Sequence, residues 1–201
     1  MNYKNSRDAA WQILIHNKIT SLPVSVSKIC EREKIRLLTY REGAPIIERL
    51  RLENNVIGND AFSMRRMILY DDTKPPSRQR FSIAHEIGHI LLHNPNGATV
   101  LNREMSPNDD PLESEANIFA SRLLAPLCVL HFLNVRTPEE ISELCNISLI
   151  AAQIRYERLC VIRKRDRDMR AREGRGCFLL SRLEREVCGN FASYIENNRL
   201  I

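Results

Sequence analysis

Residues 78–93 have the sequence RQRFSIAHEIGHILLH, which contains the pattern H-E-x-x-H at His85, Glu86 and His89. Apolar residues recur at helical spacing here and Pro95 follows, so we predict a helix that ends near residue 93. Residues four apart project from the same helix face, so two imidazoles at these positions can bind one metal ion. Glu86 lies beside them, where a carboxylate can act as a general base on the attacking water.

A catalytic zinc ion needs a third protein ligand and an open position for water. His93 lies four residues after His89, but positions 85, 89 and 93 span about 12 Å along a straight helix, too far to close on one ion. The longer pattern H-E-x-x-H-x-x-G-x-x-H is excluded because Leu92 and Pro95 replace its glycine and last histidine. We therefore expect the third ligand from an acidic residue farther along the chain.

A second helix is predicted over 111–126, with the sequence PLESEANIFASRLLAP. Glu113 lies about 60° from the centre of its apolar face and Glu115 about 100° away on the other side. Glu113 is therefore better placed to point inward as the third ligand. We expect Glu115 to be a solvated acid that favours the helix dipole. Asn117, one turn on, is a candidate to hold a ligand in orientation.

Many helices and few strands are predicted overall, so the fold class is α+β, mostly helical, with a small sheet before the H-E-x-x-H helix. Strands are expected at 35–40 and 64–72. A turn is expected at 54–59 and a loop from Asn94 to about Pro111. The other helices are predicted at 6–18, 24–34, 44–52, 137–145, 148–161 and 178–196.

Residues 137–160 have a helix-turn-helix rhythm. Thr137 and Glu140 form a predicted capping box at the first helix, Asn146 lies in the turn, and Ser148 caps the second helix. We divide the chain into a domain at 1–135 and a helical C-terminal region at 136–201 that contains this hairpin.

The basic charge of the chain is local. Residues 151–175 contain nine of its 30 Lys and Arg residues and four of its 25 Asp and Glu residues, so this segment carries the whole net charge of +5. Acids alternate with the bases, which weakens a phosphate-binding interpretation. We favour a hairpin that packs on the rest of the protein with a solvated basic face. The alternatives are a DNA-binding hairpin and a surface that docks a substrate or an activating partner.

Composition excludes several classes of protein. A hydrophobic share of 43% is ordinary for a globular chain. The sequence contains no run of 18 consecutive apolar residues, so no membrane span is predicted. The N-terminus lacks the apolar run of a signal peptide, and the six cysteines show no C-x-x-C pairing. We therefore expect a cytoplasmic protein with reduced cysteines and no membrane partner.

The stretch RQRFSIAHEIGHILLH followed by ESEANIFASRLLAP resembles the ImmA/IrrE family of zinc metallo-endopeptidases. The similarity is dense over 80–126 and continues, more weakly, through 137–160. It implies a zincin-like metallopeptidase domain at 1–135 and one Zn²⁺ per chain. By this resemblance the zinc ligands are His85, His89 and Glu113, and the general base is Glu86.

The resemblance also implies a substrate. Members of the family cleave helix-turn-helix repressors of mobile elements or stress responses and thereby relieve repression. A further partner that the resemblance allows is an accessory protein that activates the enzyme. The alternative function is a non-proteolytic, zinc-containing regulator that binds DNA or a repressor through its basic C-terminal helices.

Two features of such an enzyme are left open by the sequence. Tyr70, His131 and Tyr156 are candidates for the group that stabilises the oxyanion, and we do not rank them. The strand 64–70 either pairs through a free edge with extended substrate backbone or is wholly structural.

Overall fold

The computed structural model describes residues 3–93, 111–173 and 180–199. The loop predicted from residue 94 lies outside these ranges. The strands are β1 (Arg36–Thr39), β2 (Ala61–Met64) and β3 (Met67–Tyr70). The helices are α1 (Tyr3–His16), α2 (Val26–Arg32), α3 (Ala44–Leu50), α4 (Glu53–Val56), α5 (Pro76–Leu92), α6 (Pro111–Leu124), α7 (Leu127–Phe132), α8 (Pro138–Cys145), α9 (Leu149–Glu173), α10 (Arg182–Asn190) and α11 (Ala192–Asn198).

The sheet lies before α5, as predicted. Strand β1 confirms the strand predicted at 35–40, whereas β2 was not predicted. The order of the sheet is β1–β3–β2, with β1 parallel and β2 antiparallel to β3. The strand predicted at 64–72 is present as β3 but covers only 67–70, because the chain turns at Arg65, whose φ is 54°. The run MRRMILY lacks the glycine or asparagine that commonly marks such a hairpin turn, so the sequence pattern concealed it.

The central position of β3 decides one of the open alternatives. Both of its edges are paired within the sheet, and Ile68 and Leu69 are fully buried. The hypothesis that this strand offers a free edge to a substrate is therefore wrong, and the sheet edges are β1 and β2.

Several helix predictions also need correction. Helix α4 occupies the first part of the predicted turn at 54–59. No helix was predicted for α7, which starts directly after Pro126, where the helix predicted over 111–126 ends. Helix α9 continues twelve residues beyond the predicted end at 161, since the run to Glu173 consists of good helix formers without a glycine or proline. The last predicted helix is two helices, α10 and α11, that meet at the buried Phe191.

The α8–α9 hairpin has the predicted local structure. The Thr137–Glu140 capping box is present, Asn146 ends α8 in the left-handed region, and the amide of Ala151 donates to the hydroxyl of Ser148. Arg80 of α5 donates to the carbonyls of Cys145 and Asn146 in the hairpin turn. These bonds attach the hairpin to the helix that carries H-E-x-x-H.

One hydrophobic core joins the helices that surround α5. It includes Leu14 of α1, Ile87 of α5, Leu123 of α6 and Val187 of α10, all completely buried. The fold class is therefore α+β and mostly helical, as predicted. The division of the chain at 135/136 stays a prediction.

Within the described ranges, no helix is both long and apolar enough to cross a bilayer. The five cysteines that those ranges contain have free thiols.

Candidate metal centre

The metal centre depends on how closely α5 and α6 approach. Gly88 faces α6, and a Cβ atom there would lie 3.1 Å from Cδ1 of Phe119 and 3.3 Å from Cα of Ala116. A larger residue would push the two helices apart. Gly88 thus lets the H-E-x-x-H face of α5 lie directly against the first turns of α6.

His85 and His89 of α5 meet Glu113 of α6 at one point. The Nε2 atoms of the two histidines are 2.9 Å apart. Glu113 Oε2 lies 3.2 Å from His85 Nε2, and its Oε1 lies 3.1 Å from His89 Nε2. The structure therefore brings together the three residues that were predicted as zinc ligands.

This donor set fits a zinc ion. Bonds of 2.0–2.1 Å in a tetrahedral site separate two ligand atoms by roughly 3.3 Å, and the three distances observed are within a few tenths of an ångström of that value. Two imidazole nitrogens and one carboxylate also form a ligand set that catalytic zinc sites use.

The hydrogen bond at Nδ1 of His85 leaves its Nε2 atom free for a metal. His85 Nδ1 lies 2.9 Å from Oδ1 of Asn117. A carbonyl oxygen only accepts, so Nδ1 carries the hydrogen and Nε2 of the neutral ring keeps its lone pair. Asn117 thus occupies the orienting position that was predicted for it.

A second chain of hydrogen bonds has the same effect on His89. His93 Nε2 donates to Oε2 of Glu115 over 3.2 Å, so Nδ1 of neutral His93 accepts. His89 Nδ1 lies 3.2 Å from that atom. When His93 is neutral, His89 Nδ1 donates to it, which leaves His89 Nε2 free. Second partners of this kind set the tautomer and orientation of metal-binding histidines.

The expectation that Glu115 is a solvated acid is therefore wrong. Its side chain is only 18% exposed, because α5 continues far enough to place His93 over it. The spacing of four residues between His89 and His93 is visible in the sequence, and residues four apart on a helix can form a hydrogen bond as well as share a metal ion.

The charge state of Glu113 suits a metal ligand. Hydrogen bonds from the side chains of His85 and His89 hold the pKa of Glu113 well below its usual range, although burial acts in the opposite direction. Rings whose Nδ1 atoms already donate can also donate from Nε2 only when they are charged. The ionised carboxylate and two Nε2 atoms are thus arranged around a point that requires positive charge, supplied by protons or by a metal ion.

Glu86 is buried in the same turn of α5, with 3% of its surface exposed. A carboxylate held beside two candidate metal ligands can act as a general base on a metal-bound water. The oxyanion candidates lie on three different elements. Tyr70 ends β3, His131 is on α7, and Tyr156 is on α9 beside Cys160.

We predict that Asn117→Ala weakens zinc binding by about 10–100-fold, because His85 loses the partner that fixes its tautomer. The measurement is a zinc titration against a competing chelator. Asn197→Ala is the matched control, since Asn197 is exposed on α11. Equal zinc affinity in the Asn117 and Asn197 variants would contradict the orienting role.

The family comparison agrees with this geometry. The model for peptidase family M78, described as the IrrE N-terminal-like domain, matches residues 30–157. The matched range extends from the end of α2 into α9 and includes the whole His85–His89–Glu113 group. No curated protein matches the chain. With the family model matching more than half of its length, the chain belongs to the M78 peptidase family of IrrE N-terminal-like domains.

Proposed function

We propose that the protein is a zinc-dependent endopeptidase that cleaves a helix-turn-helix transcriptional repressor of a mobile element or stress regulon and so relieves repression. Membership of a peptidase family supports hydrolysis of a peptide bond. The observation that carries the metal dependence is the convergence of the Nε2 atoms of His85 and His89 and the carboxylate of Glu113 on one point.

Each residue of the centre has a defined task in this proposal. His85, His89 and Glu113 would hold one zinc ion, which when bound supplies a Lewis acid to polarise the scissile carbonyl. Glu86 takes a proton from the attacking water at its carboxylate and passes it to the leaving amine. Asn117 keeps His85 in the tautomer that this arrangement needs.

The substrate class is inferred from the resemblance to the ImmA/IrrE family, and so is an activating accessory partner. The DNA-binding alternative has less support. In helix-turn-helix proteins the first residues of the second helix contact base edges. Here the first turns of α9 expose Leu149, Ile150 and Ile154, while Arg155 is buried and donates to the carbonyl of Ala125.

The proposal is tested by incubating the purified protein with helix-turn-helix repressors encoded near its gene and identifying the products by mass spectrometry. We expect internal cleavage of one repressor, loss of cleavage on treatment with a zinc chelator, and recovery when zinc is added back. Cleavage that survives complete removal of the metal would refute the zinc-dependent mechanism. Repressors left intact by the zinc-loaded protein would refute the proposed substrate class.

A further inference from the structure

Helix α9 exposes an apolar stripe that the catalytic proposal does not use. Ile150 is 77% exposed, Ile154 62% and Val161 42%. At 100° per residue these three side chains project within about 40° of one another. From 150 to 161 the stripe runs about 16 Å along the helix.

The stripe lines a groove with a volume of about 830 Å³. Phe81 of α5, Ile118 of α6 and Ala151 of α9 line the same groove. We call this the α6–α9 groove, defined by Phe81, Ile118, Ile150, Ile154 and Val161.

The α6–α9 groove adjoins the metal centre. Asn117 lines the groove and is hydrogen-bonded to His85. Phe81, which also lines the groove, has its ring centroid 6.4 Å from that of His85. A chain that occupies the groove is therefore led towards the residues proposed to hold zinc.

The charged residues that line the groove are mainly basic. They are four arginines and one acid: Arg78, Arg122, Arg155, Arg158 and Glu157. Arg78 pairs with Asp60, whereas Arg122 and Arg158 form no salt bridge in the part of the chain that the structure describes. Burial and the charges of Arg7 and Arg158 lower the pKa of Arg122, although the charge of Glu184 acts in the opposite direction. Opposite charges attract, so Arg122 and Arg158 favour a carboxylate beside the groove.

We propose that the α6–α9 groove docks an amphipathic helix of the protein substrate, with apolar residues at i, i+4 and i+7 and Asp or Glu beside them. The inference rests on the proposed peptidase function. A clustered apolar surface rimmed by charge is typical of an interaction site, and an apolar channel between two helices accepts a third helix. Because the groove is continuous with the metal centre, we assign the docked helix to the substrate. The arginines that line the groove predict that this helix is acidic.

The test begins with phage-displayed random peptides of about 16 residues, long enough to cover the stripe as a helix. They are selected on the full-length Glu86→Gln variant, so that bound peptides stay intact. Enriched peptides are then labelled, and their affinity for each variant is measured by fluorescence anisotropy. We expect them to be acidic, with apolar residues at helical spacing.

The matched variants are Ile150→Asp and Ile154→Asp in the groove and Ile57→Asp outside it. All three isoleucines are highly exposed, Ile57 at 73%, so the changes should not affect folding. We expect the groove variants to weaken binding by about tenfold or more and Ile57→Asp to leave it unchanged. Arg158→Glu should also weaken binding of the acidic peptides.

Three peptide-binding results would overturn the proposal. The selected peptides could bind the Glu86→Gln protein no better than a protein that also carries Ile154→Asp, they could be basic, or their affinity could be unchanged in the groove variants. A wild-type dimer that Ile154→Asp converts to monomer would also overturn it, because a second copy would then cover the groove. Failure of the peptidase function is separable, since binding is measured without cleavage. Peptide binding in the groove together with a zinc-loaded wild-type protein that hydrolyses no peptide or repressor keeps the groove and rejects the enzyme. Unchanged repressor cleavage by Ile154→Asp rejects the groove alone.

Discussion

Replacement of Glu86 by Gln is expected to lower the rate of peptide-bond hydrolysis by about 10²–10⁴-fold, while zinc content and thermal stability stay near those of the wild type. The amide keeps the size of the buried side chain but cannot take a proton from the attacking water. Hydrolysis of a quenched fluorescent peptide library measures the rate, and metal analysis and a thermal melt measure the other two quantities.

A reporter gene under the control of the repressor separates the enzyme from the regulator in cells. If proteolysis is the route to derepression, both Glu86→Gln and His85→Ala should abolish it. A regulator that acts by binding alone would tolerate Glu86→Gln. Derepression by Glu86→Gln but not by His85→Ala would show that the metal is structural, and the peptidase proposal would fail.

The change Glu113→Ala should remove a zinc ligand and weaken zinc binding by more than the 10–100-fold that follows from losing an orienting partner. It also leaves the two Nε2 atoms without the carboxylate that now lies 3.1–3.2 Å from them. Zinc affinity is measured by competition with a chelator of known affinity, and zinc content by metal analysis of the purified variant.

Glu115→Ala is the matched control, because Glu115 lies on the same helix but contacts His93 and not the convergent Nε2 atoms. We expect its loss of zinc affinity to stay within the range for an orienting group, since it acts through His93 on His89. If only Glu115→Ala removes the zinc, the assignment of Glu113 as the third ligand is wrong.

Local sequence patterns were sufficient to predict the two helices that meet at the metal centre, α5 and α6. The positions of His85 and His89 on one helix face follow from a fixed rotation per residue, and the inward direction of Glu113 follows from the same rule applied to α6. The Thr137–Glu140 capping box could also be predicted, because its hydrogen bonds join residues three apart. The hairpin turn at Arg65 escaped this reasoning, since its residues are unusual in such turns.

Contacts between distant segments could not be derived in this way. Glu115 has ordinary features of an exposed helix acid, and only the packing of α5 on α6 places His93 over it. The apolar spacing of Ile150 and Ile154 is the same for a helix face that meets the core as for one that lines an open groove.

The separation of the two histidines is a property of one helix, whose rise and rotation per residue do not depend on the rest of the protein. It could therefore be predicted from the sequence of residues 85–89 alone. The closure of the site on Glu113 depends on the distance between two helices. That distance is set where Gly88 meets Ala116 and Phe119, because side-chain volumes at a contact determine how near two helix axes can lie.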